Sequence, residues 1–317
     1  SGSAYQWCMQ RLKAFTFAYT FISLMALVIA AFLTACGGGG LGLNPDPAVK
    51  KAIDVTSVTV QRFVEKKEKG DEEADKEAIR EANLPLFYSG KVTVTIDGKN
   101  LDAEPLTVRF PGCSGLEESA GGTDVKRVYT CTIKKMGYLP FSVLTTSELS
   151  LLWFSKVPIP YPQVTLFTSL GKIVLELEPN RAPVTVDNFL RYVHEGFYQK
   201  TIFHRVTSTR AILAGSLDER MKPVPTHEPI ELEKTGLSNL RGTIAMASAT
   251  AQFLINVADN QFLDTQDGGY TVFGNVVPDE KNMDVIDAIG AVETQTVGTY
   301  TEVPVKTITI TSVEQTQ

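Results

Sequence analysis

Apolar and polar residues alternate with period two along residues 163–177, interrupted only by Ser169-Leu170-Gly171. This alternation predicts a β-hairpin, because successive strand side chains point to opposite faces. From Pro183 to residue 198, apolar positions recur at helical spacing instead, which predicts a helix with proline in its first turn. The chain then returns to an apolar, strand-like run, Thr201–Val206, which contains Arg205.

Strand-like segments continue to the end of the chain. Further strands are predicted at residues 242–247, 252–257, 270–276 and 305–310, and a second helix at residues 283–289. Many strands with only two helices favour a closed antiparallel barrel for residues 158–317.

A second group of short strands lies in residues 51–157. The predicted strands are residues 91–96, 106–110, 128–133, 140–144 and 149–154, with turn signals at Asp97-Gly98 and Pro111-Gly112. Strands at this spacing predict a small antiparallel β-sandwich that is immunoglobulin-like in the loose sense. Proline alternates with other residues over 157–162, which predicts a stiff linker between the two domains. The fold class is therefore mainly β.

The distribution of charge excludes one class of partner. The 317 residues carry a net charge of −6, with a pI near 5.3, and no nucleic-acid partner is expected from such an acidic balance. Residues 65–83 are dense in Glu, Asp and Lys. Because both signs of charge are interleaved there, the segment is interpreted as a solvated helix or linker, with an interaction tail as the alternative.

The first 35 residues are interpreted as a tag followed by an export signal. A basic start, Arg11 and Lys13, precedes an uncharged and mostly apolar run over residues 14–35. The run closes on Leu33-Thr34-Ala35-Cys36, which resembles a bacterial lipobox, whose cysteine is lipidated after cleavage. Residues 36–50 then form a glycine-rich linker.

That resemblance implies acyl chains on Cys36 and a lipid bilayer as a partner. It implies a location in the cell envelope, anchored to the outer membrane and facing the periplasm, or on the cell surface. The alternative is an uncleaved transmembrane helix, because the apolar run reaches the roughly 20 residues that span a bilayer.

The four cysteines and three histidines show no metal-binding spacing, so no metal site is expected. Cys113 and Cys131 lie together in the middle domain. Export would place them in an oxidising compartment, where a disulfide is the default. Two buried free thiols are the alternative.

Six ordered blocks in residues 162–315 carry a more specific signal. They are residues 182–189, 196–198, 202–206, 241–247, 249–253 and 272–274, and they include Ala-Pro-Val-Thr-Val-Asp-Asn-Phe, Phe-His-Arg-Val and Arg-Gly-Thr-Ile-Ala-Met-Ala. In order and spacing these blocks resemble the cyclophilin-type peptidyl-prolyl cis-trans isomerases. The resemblance implies a closed barrel capped by two helices, proline-containing polypeptides as partners, and no cofactor.

The same resemblance assigns the site. Arg205 matches the catalytic arginine, whose guanidinium stays charged and presents rigidly directed donors. The alternative for Arg205 is a purely structural ion pair. The substrate-binding positions are matched by Gln252, Phe262, Leu263, Ala247 and Tyr270, and by Leu254 in place of a usual phenylalanine. His204 is expected to face the barrel interior, because adjacent strand residues point in opposite directions.

Several positions depart from the family pattern. Residues 209–215 stand where the family has a Gly-Phe-Met-x-Gln-Gly-Gly run, so Arg210, Ala211 and Leu213 replace the phenylalanine, the methionine and a second glutamine. Ser248-Ala249-Thr250 shortens a loop that helps to bound the substrate groove.

Three hypotheses follow from these departures. The first is a prolyl isomerase that acts on exported or outer-membrane proteins with reduced activity. The second is a catalytically degenerate binding module at the cell envelope. The third is a structural role in which the two β domains build a surface assembly.

Overall fold

The computed structural model describes residues 51–65 and 72–317, within a compact unit that spans residues 51–317. Outside the described residues lie the segments interpreted as a tag and an export signal, the lipobox with Cys36 and the glycine-rich linker. Residues 66–71 of the charged segment also lie outside them. Across the described ranges, the helices all lack the combination of length and apolar character that a bilayer crossing requires.

Two antiparallel sheets pack face to face in the first half of the described chain. Their strands are β1 (Asp54–Arg62), β2 (Lys91–Lys99), β3 (Leu106–Arg109), β4 (Cys113–Glu118), β5 (Lys126–Ile133), β6 (Gly137–Thr145) and β7 (Leu151–Ile159). One sheet has the order β1-β2-β5-β4 and the other β3-β6-β7. This four-plus-three order is the one that immunoglobulin constant domains use. The similarity to those domains is in the order of the strands alone.

The alternation along the strands explains the sandwich core. On β2, Val92, Val94 and Ile96 are buried, and the residues between them are less buried. They meet Phe110 and Phe141, whose rings pack edge to face at 5.5 Å between centroids. A disulfide joins Cys113 on β4 to Cys131 on β5, with 5.7 Å between the two Cα atoms. The expected bridge is therefore present, and it lies within one sheet.

The charged segment contains helix α1 (Glu72–Ala82), between β1 and β2. A helix was one of the two interpretations of this segment. Ile79 on this helix is exposed, which fits a solvated element.

The turn predicted at Asp97-Gly98 is wrong. The strand β2 continues to Lys99, and Gly98 pairs with Val55 where β1 has a bulge. A Cβ atom on Gly98 would collide with the carbonyl oxygen of Asp54. The glycine therefore permits a close backbone approach inside the sheet.

The predicted linker at residues 157–162 was wrong in its first half. Strand β7 runs to Ile159, and Val157 pairs with Leu139 on β6. Pro158 is tolerated because β7 is an edge strand. One side of an edge strand has no neighbouring strand, so a missing N–H donor on that side removes no hydrogen bond from the sheet.

The second half of the described chain forms a nearly closed, eight-stranded antiparallel barrel. Its strands are β8 (Gln163–Thr168), β9 (Gly171–Leu177), β10 (Thr201–Val206), β11 (Ala211–Asp218), β12 (Thr243–Met246), β13 (Phe253–Asn256), β14 (Thr271–Val276) and β17 (Ile310–Gln315). Their order is β10-β11-β13-β12-β14-β9-β8-β17. Helices α2 (Pro183–His194) and α3 (Glu280–Gly290) pack against it. The expected closed barrel with two helices is confirmed.

The two end strands are joined by a short segment before β17. The backbone nitrogens of Lys200 and Phe203 donate to the carbonyl oxygens of Ile310 and Ile308, each at 2.9 Å. The strand predicted at residues 305–310 is therefore displaced, because its last residues close the barrel and the regular ladder with β8 begins only at Ile310.

A hairpin between α3 and β17 was missed. It consists of β15 (Thr294–Val297) and β16 (Tyr300–Pro304), with Gly298 in the turn at a φ of 58°. Strand β16 lies against β10, so the hairpin reaches the strand that carries Arg205.

Helix α2 covers one end of the barrel through Phe189. Its ring packs against Tyr198, Phe253 and Phe273, with centroid separations of 5.3, 5.8 and 5.2 Å. Burying one such side chain contributes about 1.5–3 kcal/mol. The carboxylate of Glu233 accepts hydrogen bonds from backbone nitrogens in the first turn of the helix, including that of Thr185 at 2.7 Å. Its negative charge there interacts favourably with the positive end of the helix dipole.

Tyr88 connects the sandwich half to the barrel half. Its side chain is buried in the barrel's hydrophobic cluster, and its hydroxyl donates to Asp187 on α2 at 2.9 Å. Lys134 from the sandwich reaches the second oxygen of Asp187, also at 2.9 Å. Burial and the Asp187 carboxylate raise the pKa of Tyr88, so the phenol remains a hydrogen-bond donor at neutral pH.

His204 on β10 is buried, with 6% of its surface exposed. Burial lowers the pKa of His204 to about 4, and the charge of Arg205 adds to the shift. The imidazole is therefore neutral at pH 7.

The pH dependence of stability should reflect this buried histidine. Between about pH 6.5 and pH 4 the unfolded chain binds a proton at His204 that the folded chain excludes, so folding stability falls as the pH falls. His204 should lower the free energy of unfolding by up to about 3 kcal/mol over this pH range. Urea unfolding at a series of pH values should show a shallower decline for His204→Gln. The exposed His194→Gln is the control, and equal slopes in both variants would contradict the assignment.

Candidate active site

A shallow groove of about 160 Å³ lies on the outer side of the barrel wall. It is lined by Arg205, Thr207, Arg210, Ala211, Leu213, Leu254, Phe262, Leu263, Gln266 and Tyr270. These residues come from β10, β11, β13, the short 3₁₀ turns Gln261–Asp264 and Gln266–Gly268, and the connections between them.

The floor of the groove is an apolar cluster separate from the barrel's interior core. Leu254 and Leu263 are buried in it with Ala211, and Leu213 packs alongside. Leu213 on β11 pairs directly with Leu254 on β13, so the two side chains are neighbours on the same face. Ile212, the residue between Ala211 and Leu213, belongs to the interior core instead. The period of two along β11 thus builds both surfaces.

A β-bulge in β10 sets the direction of Arg205. Phe203 pairs with Ala214 and Arg205 pairs with Leu213, so two steps along β10 match one step along β11. Such a bulge re-aims a side chain relative to the regular strand. Phe203 and His204 are both buried, and the Arg205 side chain is 51% exposed at the edge of the groove.

Glu302 from the β15–β16 hairpin holds one side of the Arg205 guanidinium. Arg205 Nε donates to Glu302 Oε2 at 2.7 Å. Because the contact uses Nε, the two terminal amino groups are left for a substrate. An exposed pair of this kind contributes about 0.2–1 kcal/mol, enough to bias a side-chain orientation but not to stabilise the fold.

Phe262 and Arg210 form another wall of the groove. The Arg210 guanidinium carbon lies 5.7 Å from the centre of the Phe262 ring, within cation–π distance. The Phe262 ring is 48% exposed, so it presents an apolar surface to the groove as well as to the arginine.

Buried asparagines hold the segments that carry these walls. Asn260 Nδ2 donates to the carbonyl oxygen of Arg210 at 2.8 Å and to Asn256 Oδ1 at 2.7 Å. Asn256 in turn donates to Asn239 at 3.1 Å, and Asn239 donates to Asp264 in the turn after Phe262. Burial acts to raise the pKa of Asp264, but hydrogen bonds from Ser238 and Asn239 lower it overall, which keeps its carboxylate as an acceptor.

The structure brings together most, but not all, of the site residues taken from the sequence. Arg205, Leu254, Phe262, Leu263 and Tyr270 surround the groove, together with the three departing positions Arg210, Ala211 and Leu213. Ala247 packs against the floor cluster without lining the groove.

Gln252 also lies outside the groove lining. Its carbonyl oxygen accepts from the backbone nitrogen of Ala247 at 2.9 Å, across the shortened 248–251 turn. Its proposed contact with a substrate backbone therefore stays a prediction. The 248–251 turn also packs closely against Gly215, where a Cβ atom would press against the carbonyl of Ala251 and the ring of Tyr198.

Three groups at the site were missed from the sequence: Thr207, Gln266 and Glu302. For Glu302 a signal was available, since residues 294–303 are rich in the β-branched residues Thr and Val and flank Gly298, which is typical of a hairpin. Nothing in that pattern indicates that the carboxylate pairs with an arginine 97 positions earlier.

The family model of the cyclophilin type peptidyl-prolyl cis-trans isomerases matches residues 163–315. The chain is 50% identical over 158 residues to peptidyl-prolyl cis-trans isomerase A of Dickeya dadantii, covering 47% of this chain and 82% of that protein. It is 46% identical over 162 residues to isomerase B of Escherichia coli, covering 47% of this chain and 97% of that protein. A Cryptosporidium parvum cyclophilin type isomerase, solved in the presence of the dipeptide Ala-Pro, aligns with a TM-score of 0.39 and 20% identity, covering 49% of this chain and 99% of that chain.

Replacing Glu302 should loosen Arg205 without unfolding the barrel. In Glu302→Gln the charge-assisted bond at Nε is lost, so the Arg205 Nε–H should exchange with water about two to five times faster, as expected for an exposed pair. Nuclear magnetic resonance of the arginine Nε–H groups measures this rate directly.

The matched control is Glu293→Gln, which removes an exposed carboxylate just before the same hairpin. Unchanged Arg205 exchange in Glu302→Gln, or an equal change in both variants, would show that Glu302 does not hold the guanidinium.

Proposed function

The chain belongs to the cyclophilin-type family of peptidyl-prolyl cis-trans isomerases, and from that premise we propose that it isomerises X-Pro bonds in exported or outer-membrane proteins at a reduced rate. Its relatives are named peptidyl-prolyl cis-trans isomerases, so the substrates we propose are proline-containing polypeptides. The position of Arg205 beside an apolar floor is the observation that carries the proposal.

Rotation about an X-Pro amide has a barrier of roughly 18–20 kcal/mol, because conjugation is lost in the twisted state. The proline nitrogen then regains a localised lone pair, which accepts a hydrogen bond better than the planar amide does. Arg205 offers terminal N–H donors at the groove edge, and the planar guanidinium holds these donors in fixed directions. An interaction that strengthens only in the twisted state lowers the barrier without a nucleophile.

The walls of the groove support a reduced rate. Arg210 and Leu213 stand where the family pattern has a phenylalanine and a glutamine, and both line the groove. Losing one aromatic wall or one polar contact costs about 1–3 kcal/mol. At about 1.4 kcal/mol per tenfold, several such losses lower the rate by roughly two to four orders of magnitude.

The disulfide between Cys113 and Cys131 supports clients outside the cytosol. Such bridges persist mainly in oxidising compartments, which include the bacterial periplasm. The apolar run of residues 14–35 and the lipobox at Cys36 point in the same direction. We propose attachment to the outer membrane through acylated Cys36, with the barrel facing the periplasm or the cell surface.

The replaced walls also favour a second candidate. In it the barrel is a catalytically degenerate binding or assembly module at the cell envelope, and Arg205 contributes only to peptide capture. The two candidates differ in whether Arg205 changes a rate.

A proline-limited refolding assay separates these candidates. The purified protein should accelerate refolding of a client whose slow phase is X-Pro isomerisation, and Arg205→Ala should lower that acceleration by about tenfold or more, because one charged hydrogen bond is lost. Arg220→Ala, an exposed arginine in the turn after β11, is the control. Refolding no faster than in buffer, for both wild type and Arg205→Ala, would end the isomerase proposal.

The anchor is tested by mass spectrometry of the protein isolated from membranes. The first residue should be an acylated Cys36, and Cys36→Ser should move the protein to the soluble fraction, since acyl chains supply about 0.8 kcal/mol of membrane affinity per buried CH₂. Recovery of peptides from residues 14–35 in the mature protein would contradict the lipoprotein proposal.

A further inference from the structure

We propose that Arg210 makes the groove select proline segments that carry an acidic side chain directly before or directly after the proline. This inference deepens the proposed function, because it names the substrate class of the same groove. Arg210 would act as a specificity-determining residue through direct contact with the substrate.

The groove carries an uncompensated positive charge. Two of its ten lining residues are arginines, and none is a carboxylate. Glu302 pairs with Arg205, whereas Arg210 is exposed and forms no ion pair with any residue in the described part of the chain. Arg210 is therefore the cation that a bound peptide meets without a resident partner.

Two carboxylates on the segment that carries Phe262 are engaged by other donors. Asp259 accepts from the backbone nitrogen of Arg241 at 2.9 Å. Asp264 accepts from Asn239 at 2.8 Å and from the hydroxyl of Ser238. Neither of these bonds brings an acid to Arg210, so an acidic substrate side chain would not displace an existing pair.

The position of Arg210 is fixed by its backbone. Its carbonyl oxygen accepts from the backbone nitrogen of Val257 at 2.9 Å and from Asn260 Nδ2 at 2.8 Å, and its nitrogen donates to the carbonyl of Thr207 at 3.1 Å. Asn260 is 2% exposed, so these bonds are shielded from water. The guanidinium then lies over Phe262, which restricts its orientation.

A restricted guanidinium loses less conformational freedom when it pairs with a carboxylate, and its planar donors suit bidentate pairing. Because the groove is shallow and open to water, the gain is that of an exposed ion pair. We expect about a threefold to fivefold preference in kcat/KM for glutamate over glutamine beside the proline. Salt should weaken this preference, since exposed charges are screened.

Two series of short peptides test the inference, one varying the residue before proline and one the residue after it. Each series compares Glu, its uncharged isostere Gln, and Lys. The measured quantity is the ratio of kcat/KM for the Glu peptide to that for the Gln peptide, which cancels any general loss of activity. In wild type this ratio should be about three to five in at least one series and approach one in 0.5 M NaCl.

The variants then assign the charge. Arg210→Gln should bring the ratio to about one, Arg210→Lys should keep most of it, and the control Arg220→Gln should leave it as in wild type. A wild-type ratio near one in both series, or a ratio that survives in Arg210→Gln, would overturn the inference.

If wild type accelerates no peptide, the isomerase proposal fails but the charge preference is still measured. The same peptides, labelled for fluorescence anisotropy, should then show the threefold to fivefold ratio in Kd, with the same response to Arg210→Gln. Equal Kd values for the Glu and Gln peptides would overturn the inference independently of turnover.

Discussion

The β-bulge in β10 is the constraint from which the geometry of the site follows. Strand β10 is held on one side by β11 and on the other by the segment that ends at Ile310, so it has little freedom to rotate. The mismatch between Phe203–Ala214 and Arg205–Leu213 uses one extra residue on β10. His204, the residue between these two pairs, is buried, and Arg205 is exposed at the groove. A buried neutral imidazole and an exposed guanidinium are thus two results of one irregularity.

The rest of the groove is assembled on the outer face of the same wall. Ala211, Leu213 and Leu254 form its floor because their strands alternate between the interior core and this second apolar cluster. The buried Asn239, Asn256 and Asn260 then hold the turns that carry Arg210 and Phe262. Buried amides of this kind are costly unless paired, so their bonds fix one arrangement of the turns. The groove is therefore supported by polar contacts below it and apolar contacts across it.

The sandwich half is attached to the barrel through residues that do not line the groove. Tyr88 enters the barrel's hydrophobic cluster and donates to Asp187 on α2, the helix that covers the barrel end through Phe189. Because Asp187 also pairs with Lys134, two sandwich residues meet one helix. Neither Tyr88 nor Lys134 lines the groove that contains Arg205 and Phe262.

Local sequence patterns were sufficient to predict those elements that do not depend on contacts with distant residues. Period-two alternation located the hairpin of residues 163–177, helical spacing and Pro183 located α2, and the motif blocks identified Arg205 as the catalytic candidate. Asp97-Gly98 misled because the same dipeptide suits a turn and a bulge, and only the approach of Asp54 distinguishes them. Pro158 misled because an edge strand tolerates a proline that a central strand would not.

Composition and motif thus determined the mainly β class, the barrel and the arginine. Tertiary structure alone decided where that arginine points, which residue holds it and which charge remains free in the groove. The physical reason is that strand register, the bulge beside Arg205 and its pair with Glu302 depend on residues far apart in the chain. Such contacts leave no period in the sequence, because each is set by the packing of two segments and not by the preference of either one.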